Sequence, residues 1–346
     1  AITCAVLYLL CREFGAGICP SRNVVLAAGL STMMLPYARY DYNKVPAALL
    51  LCLLLFSTLR ICRYGKTRDL FLFGLWAGLL AGIRIELLIV LPGLVAFIVY
   101  RRRNDLVVSK ILPGIAVAFG LIAFVFWYQW SRWRGISGYE GGFNYLPITG
   151  LYGFFFSLGK SMFLYNPILV LFPVALWKYR KFDFATLWML TVVPGVLLYS
   201  WWSNWWGGWA WGPRHLVPII PLLTVPIAIA LTRTRSSFFR FSFWYLAALG
   251  IAIQLLGISI DFNDGINTVF EQGATEPMVI YLWPFGGIAN HVRLLSRIPF
   301  SVCDFGIMRY FLYHPSSRVL ALIAGAVLIV ILSLLRLRTC NEKARA

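Results

Sequence analysis

Charge is what this sequence has least of. Asp, Glu, Lys and Arg make up 13% of its 346 residues, against 60% apolar residues. A soluble chain of this length has too little interior to hide so much apolar surface, which excludes a water-soluble globular domain. Acids are scarcer still, 13 against 31 Lys and Arg, for a net charge of +18. That charge does not point to nucleic acid, because the basic residues fall at the ends of apolar runs, where they act as topology signals. The 3 histidines and 7 cysteines (4, 11, 19, 52, 62, 303 and 340) show no metal-ligand spacing such as C-x2-C, so neither a metal nor a cofactor is expected. Only Cys303 falls in an expected outer loop, so no structural disulfide is expected. No Asn-x-Ser/Thr acceptor, internal repeat or low-complexity tract occurs.

What is present is a series of long apolar runs. They predict membrane segments near 1–10, 22–36, 44–60, 69–83, 85–100, 110–129, 166–178, 184–202, 215–232, 241–260 and 319–335. A full crossing takes about 20 residues, so several of these are short, broken or tilted. The opening run AITCAVLYLL is too short to cross and reads as the tail of a helix that begins upstream. The expected class is all-α, a polytopic transmembrane helix bundle with about 10 or 11 membrane segments.

Positive charge sets the orientation. With the tail RLRTCNEKARA in the cytoplasm, alternation places loops 11–22, 60–68, 101–110, 178–182 and 233–240 on the same side. Together with the tail they hold 20 of the 31 Lys and Arg. The bias survives the tight pair 69–83 and 85–100, which turns at Arg84-Ile85-Glu86. The outer face then carries YARYDYNK (37–44), that turn, a loop from about 130 to 165 and the stretch WWSNWWGGWAWGPRH (201–215). It also carries residues 261–318, whose DFND, Pro277, Pro284 and Gly286-Gly287 make them too polar and punctuated to span. The chain divides into a membrane domain (1–260), an outer segment or lid (261–318), and a last membrane helix with a basic tail (319–346).

The 201–215 stretch holds six of the 14 tryptophans. Indoles collect at membrane interfaces; aromatic faces also pack against sugar rings and isoprenoid chains, and both readings stay open. Arg214 follows Gly-Pro, a pair that stops one segment and fixes the start of the next. Arg214 and His215 are thereby placed at a helix start, where backbone N–H groups favour an anion. Guanidinium binds phosphate bidentately; the competing reading is an arginine snorkelling to lipid headgroups. Lys160, in SLGKSMFLYNP, is a second phosphate-reaching cation or an interfacial anchor. It is not a P-loop lysine, since five residues separate Gly153 from Gly159 where that motif has four. Asp41 is an acid just outside a helix start, suited to orient an acceptor hydroxyl or serve as a base, or simply favoured there by the helix dipole. Arg84 and Glu86 read as a structural ion pair. His291, His314 and Asp261/Asp264 have no metal spacing.

Three segments carry a family resemblance. WWGGWAWGPRHLVPIIPLL resembles the Trp-Gly and Gly-Pro-Arg segment of membrane glycosyltransferases of the GT-C class, in the superfamily of the protein O-mannosyltransferases and aminoarabinose transferases (family 39-like). LYGFFFSLGKSMFLYNPILVLFPVALW resembles that superfamily's Lys-Gly-Tyr-Pro segment, and GLWAGLLAGIRIELLIVLPGLVAF its arginine-bearing re-entry helices. The similarity runs from about 24 to 235. It implies a sugar carried on a polyprenyl phosphate or diphosphate in the inner (plasma) membrane. Transfer, with inversion, would occur on the periplasmic or luminal face, to a lipid, glycan or protein acceptor that the sequence does not name. By the same resemblance Lys160, Arg214 and His215 hold the donor phosphate and Asp41 lies near a second-loop acid, although in some relatives that acid aligns nearer Asn43. The family's main catalytic carboxylate belongs to a first outer loop, expected upstream of residue 1. Tyr165, Trp205, Trp206, Trp209 and Trp211, with the outer segment, would wall the cavity and exclude water. The rival readings are a flippase or transporter of polyprenyl-linked sugars and a non-catalytic lipid-binding relative.

Overall fold

The computed structural model describes residues 1–40, 43–104, 107–133, 142–178, 182–260 and 262–297. The last predicted membrane helix and the basic tail lie outside the described residues. All regular structure described is helical: α1 (Ile2–Glu13), α2 (Ile18–Leu30), α3 (Met34–Tyr40), α4 (Lys44–Tyr64), α5 (Thr67–Arg84), α6 (Leu91–Arg102), α7 (Val108–Trp133), α8 (Pro147–Phe156), α9 (Met162–Tyr165), α10 (Leu171–Lys178), α11 (Phe182–Trp201), α12 (Ile220–Arg233), α13 (Ser237–Ser259), α14 (Phe262–Glu271), α15 (Glu276–Tyr281) and α16 (Gly287–Arg297).

Four stretches are long and apolar enough to cross a membrane: Lys44–Tyr64, Thr67–Arg102, Val108–Arg132 and Ser237–Ser259. They mark a membrane protein. The other apolar helices, at Ile18–Leu30, Pro147–Phe156, Pro167–Lys178, Ala185–Trp201 and Ile220–Arg233, are shorter than the expected 10 or 11 crossings require. Proline accounts for part of the shortfall. The expected segment at 166–178 opens with a 3-10 turn, Pro167–Val170, and the one at 215–232 follows another, Arg214–Leu216. Neither run is regular helix from end to end.

The centre of the bundle is α12. Every residue from Ile220 to Leu231 is buried, as befits a helix that is apolar on all sides. It packs against α1, α2, α4, α10 and α11. At the periphery α7 leans on α5 and turns Phe119, Phe124, Trp127 and Trp130 outward, each more than half exposed.

The Thr67–Arg102 stretch is a hairpin. Arg84 leaves helical geometry at φ −152°, ψ 87°, and a 3-10 turn, Ile85–Val90, leads into α6. The return is visible at Arg102, whose guanidinium donates to the carbonyls of Ile61 and Cys62 at the end of α4. Two further contacts join loops at the same end of the molecule: an Arg63–Glu13 ion pair at 2.7 Å, and a bond from Gly17 N–H to Thr232 Oγ1. The opposite end gathers the end of α2, the Arg84 turn, the loop 202–213 and α14–α16.

Candidate functional site

The loop 202–213 joins α11 to the turn before α12. Its shape depends on Gly207 and Gly208, both in the left-handed region at φ +83° and +66°, where a side chain would be strained. Asn204 fixes the reversal by accepting from Gly208 N–H at 2.8 Å through Oδ1. The chain is thus doubled back, so the carbonyls of Gly208 and Ala210 face Lys160.

Lys160 sits in the turn between α8 and α9. Ser157 Oγ accepts from its N–H at 3.1 Å, and Ser161 caps α9. Its ammonium donates to Gly208 O at 3.0 Å and Ala210 O at 2.5 Å. It also lies 5.4 Å from the ring centre of Trp206 and 5.7 Å from that of Phe262, within cation–π range. Only 2% of the residue is exposed. Burial, reinforced by the charge of Arg214, brings its pKa down to about 7.

Arg214 stands on the other side of Gly208. A side chain added at Gly208 would meet its Nη2 at 3.6 Å, and one at Gly207 would meet its Cγ at 2.7 Å. Nothing in the described protein pairs with its guanidinium, and its buried Nε has no hydrogen-bond partner. His215 is buried between rings, stacked 5.2 Å from Tyr199 and 5.9 Å from Trp202. Neither of its nitrogens has a partner in hydrogen-bond geometry, and the backbone of Asn204 lies near the ring. Arg84, Lys44 and Arg214 all act on this ring through their charge. Arg84 and Glu86 form a buried ion pair at 2.5 Å, Tyr199 donates to Glu86 Oε1 at 3.2 Å, and Arg84 lies over the Tyr199 ring. The hairpin turn is thereby tied, through Tyr199, to His215.

The five residues expected to wall a cavity divide. Trp205 is 1% exposed and seated edge-on against Phe154, over Gly153. Trp211 and Tyr165 pack edge to face at 5.0 Å, both buried. Trp205 and Trp211 are interior packing, because the glycines beneath them let the rings sink, whereas Tyr165 also borders a small cavity beside Lys160. Trp206 and Trp209 face the Lys160 side; their rings lie 4.6 Å apart, and Trp209 meets Phe270 of α14 edge-on at 4.7 Å.

Asp41 lies outside the described residues, as do Asp261 and His314. Among the described residues no group of three or more His, Cys, Asp or Glu is arranged to hold a metal. Three participants escaped the sequence reading. Lys44 is a buried cation at the start of α4. Gln254, fully buried in α13, donates to Tyr165 O at 2.5 Å and accepts from Trp211 Nε1 at 3.3 Å. A lone glutamine in a 23-residue apolar helix is a visible signal of such a tie. Asn166, also fully buried, accepts from Met33 N–H at 2.8 Å and so binds α9 to the end of α2.

No family model, no curated protein and no solved structure matches this chain.

Proposed function

We propose that this is a membrane glycosyltransferase of the GT-C kind, moving a sugar from a polyprenyl phosphate or diphosphate to an acceptor at the end of the bundle that carries Arg214. The observation that carries the reading is Arg214 itself, a cation with a buried, unpartnered Nε next to a second cation, Lys160. Buried charges are costly unless paired, and buried donors normally have acceptors. A phosphate supplies both a countercharge and several acceptor oxygens, and guanidinium meets it with two parallel bonds. The aromatic rings of Trp206 and Trp209 beside these cations suit a sugar face or an isoprenoid chain.

In this reading the bond from the sugar's anomeric carbon to the phosphate oxygen breaks as the acceptor hydroxyl oxygen attacks from the opposite face, and the hydroxyl proton passes to water or to the departing phosphate. Negative charge grows on the leaving phosphate, and Arg214 stabilises it. Lys160, whose ammonium is held by two carbonyls, adds to the field without touching the phosphate.

The test is binding of a polyprenyl monophosphate to the protein in nanodiscs, read by native mass spectrometry, beside transfer from a panel of polyprenyl-phosphate sugars. Arg214→Ala should weaken binding at least tenfold and slow transfer by about a hundredfold or more. Unchanged binding and turnover would remove the phosphate role. Binding without transfer by the unaltered protein would leave a lipid-binding relative, and movement of a labelled lipid across proteoliposomes would make it a flippase.

A further inference from the structure

Lys160 has three N–H donors, and two of them are spent on Gly208 O and Ala210 O. Beyond the ammonium lies a cavity of about 10 Å³, bordered by Lys160, Tyr165, His291, Asn290 and the apolar side chains of α14 and α15. Asn290 belongs to α16 and is 2% exposed. Its amide N–H donates to Gly265 O of α14, while its Oδ1 is buried with no partner in the protein. A cavity of this volume takes one water molecule, and a buried water needs at least two polar partners. Here a donor and an uncommitted acceptor border the same small space.

We infer that a single ordered water occupies this cavity, accepting from Lys160 Nζ and donating to Asn290 Oδ1. It fastens residues 262–297 over the tryptophan loop. Their other attachments include a bond from Gly159 N–H to Ile280 O at 3.0 Å, His291 Nδ1 against Leu256 O at 3.2 Å, and ring contacts of Trp209 on Phe270, Trp211 on His291, Trp205 on Tyr281 and Lys160 over Phe262. The water completes the donors of Lys160 and satisfies the orphaned oxygen of Asn290 at once. Lys160 thereby holds the covering segment, and Arg214 is left as the cation open to an anion. The inference does not depend on phosphate binding.

Hydrogen exchange on the protein in nanodiscs tests it. Lys160→Met should speed exchange of the α14 and α16 amides by about tenfold, the scale of one charge-assisted hydrogen bond, with α4 and α12 unchanged. Asn290→Leu should speed the same amides. The double variant should fall short of the product of the two single effects, because the bridge is lost only once while the Lys160–Phe262 and Asn290–Gly265 contacts are lost separately. Multiplicative effects would overturn the bridge. Direct sight of the site decides the matter even where a variant fails to fold. An experimental map fine enough to show waters should have density within hydrogen-bond distance of both Lys160 Nζ and Asn290 Oδ1; a map without it overturns the proposal.

Discussion

Two cations that look alike in the sequence part company once their surroundings are known. Lys160 and Arg214 each follow a glycine-bearing turn, and each is a candidate for a phosphate. Burial separates them: the ammonium has two carbonyls and two rings around it, the guanidinium an unpartnered Nε. A run of residues shows which side chains are cationic but not which are already satisfied, because the carbonyls of Gly208 and Ala210 reach Lys160 across about fifty residues of chain. The same burial has a pH signature. Lys160 releases its proton near pH 7 when folded, where the unfolded chain keeps it to its ordinary value of 10.5. Between these pH values the unfolded state binds more protons, so stability rises with pH, by up to about 1.4 kcal/mol per pH unit. Below 7 both states are protonated and the dependence vanishes. Arg214 acts in the same direction on Lys160, and His291 and Tyr165 border the same cavity. Thermal melts from pH 7 to 9 should show a steeper rise for the unaltered protein than for Lys160→Met; equal slopes would mean the lysine stays charged.

Among the elements, the crossing of α5 and α7 is the most exacting. A side chain at Gly74 would come within 2.0 Å of Gly114 O, one at Gly114 within 2.5 Å of Leu70 O, and one at Gly78 within 2.6 Å of Leu121. The backbones touch, as they do where membrane helices associate through small residues four apart. The pattern stood in the sequence as GLWAG and GLLAG, yet hydropathy alone reads those residues as an ordinary span. Gly74→Val should destabilise the protein by about 1–3 kcal/mol through overpacking. Gly120→Ala, on the same α7 with nothing within 4 Å of the added carbon, should be neutral or slightly stabilising, since alanine outdoes glycine in a helix interior. Similar melting shifts for the two would mean that α7 does not seat on α5 as described. The hairpin, its break at Arg84 and the Arg84–Glu86 pair were legible because charge interrupting an apolar run is rare. Near Pro167 and Arg214 the prolines marked an interruption, but not that a 3-10 turn would come before the regular helix, because apolar composition continues through those turns.

Across the whole molecule, three of the five basic loops meet at one end through Arg63–Glu13, Arg102 with α4, and Gly17 with Thr232. The site occupies the other end. Charge bias along the chain anticipated which loops belong together, since alternation is a counting rule that does not need helix boundaries. It could not foresee that residues 262–297 would close over the tryptophan loop, because those contacts are tertiary. In a background without native cysteines, Glu276→Cys should react with a membrane-impermeant maleimide in intact cells and Lys66→Cys should not. Both positions are exposed, so the reverse labelling would invert the orientation.

The burial of α12 on all sides has one more consequence. Bilayers differ in thickness, and helices that touch lipid answer by tilting; α7, which packs on α5 along one face and leaves the rest exposed, is the one most subject to this. Arg214 and His215 lead directly into α12, which lipid does not reach between Ile220 and Leu231. The candidate site therefore hangs from the part of the molecule that is insulated from lipid, and changing bilayer thickness should move the outer helices more than Arg214 and His215.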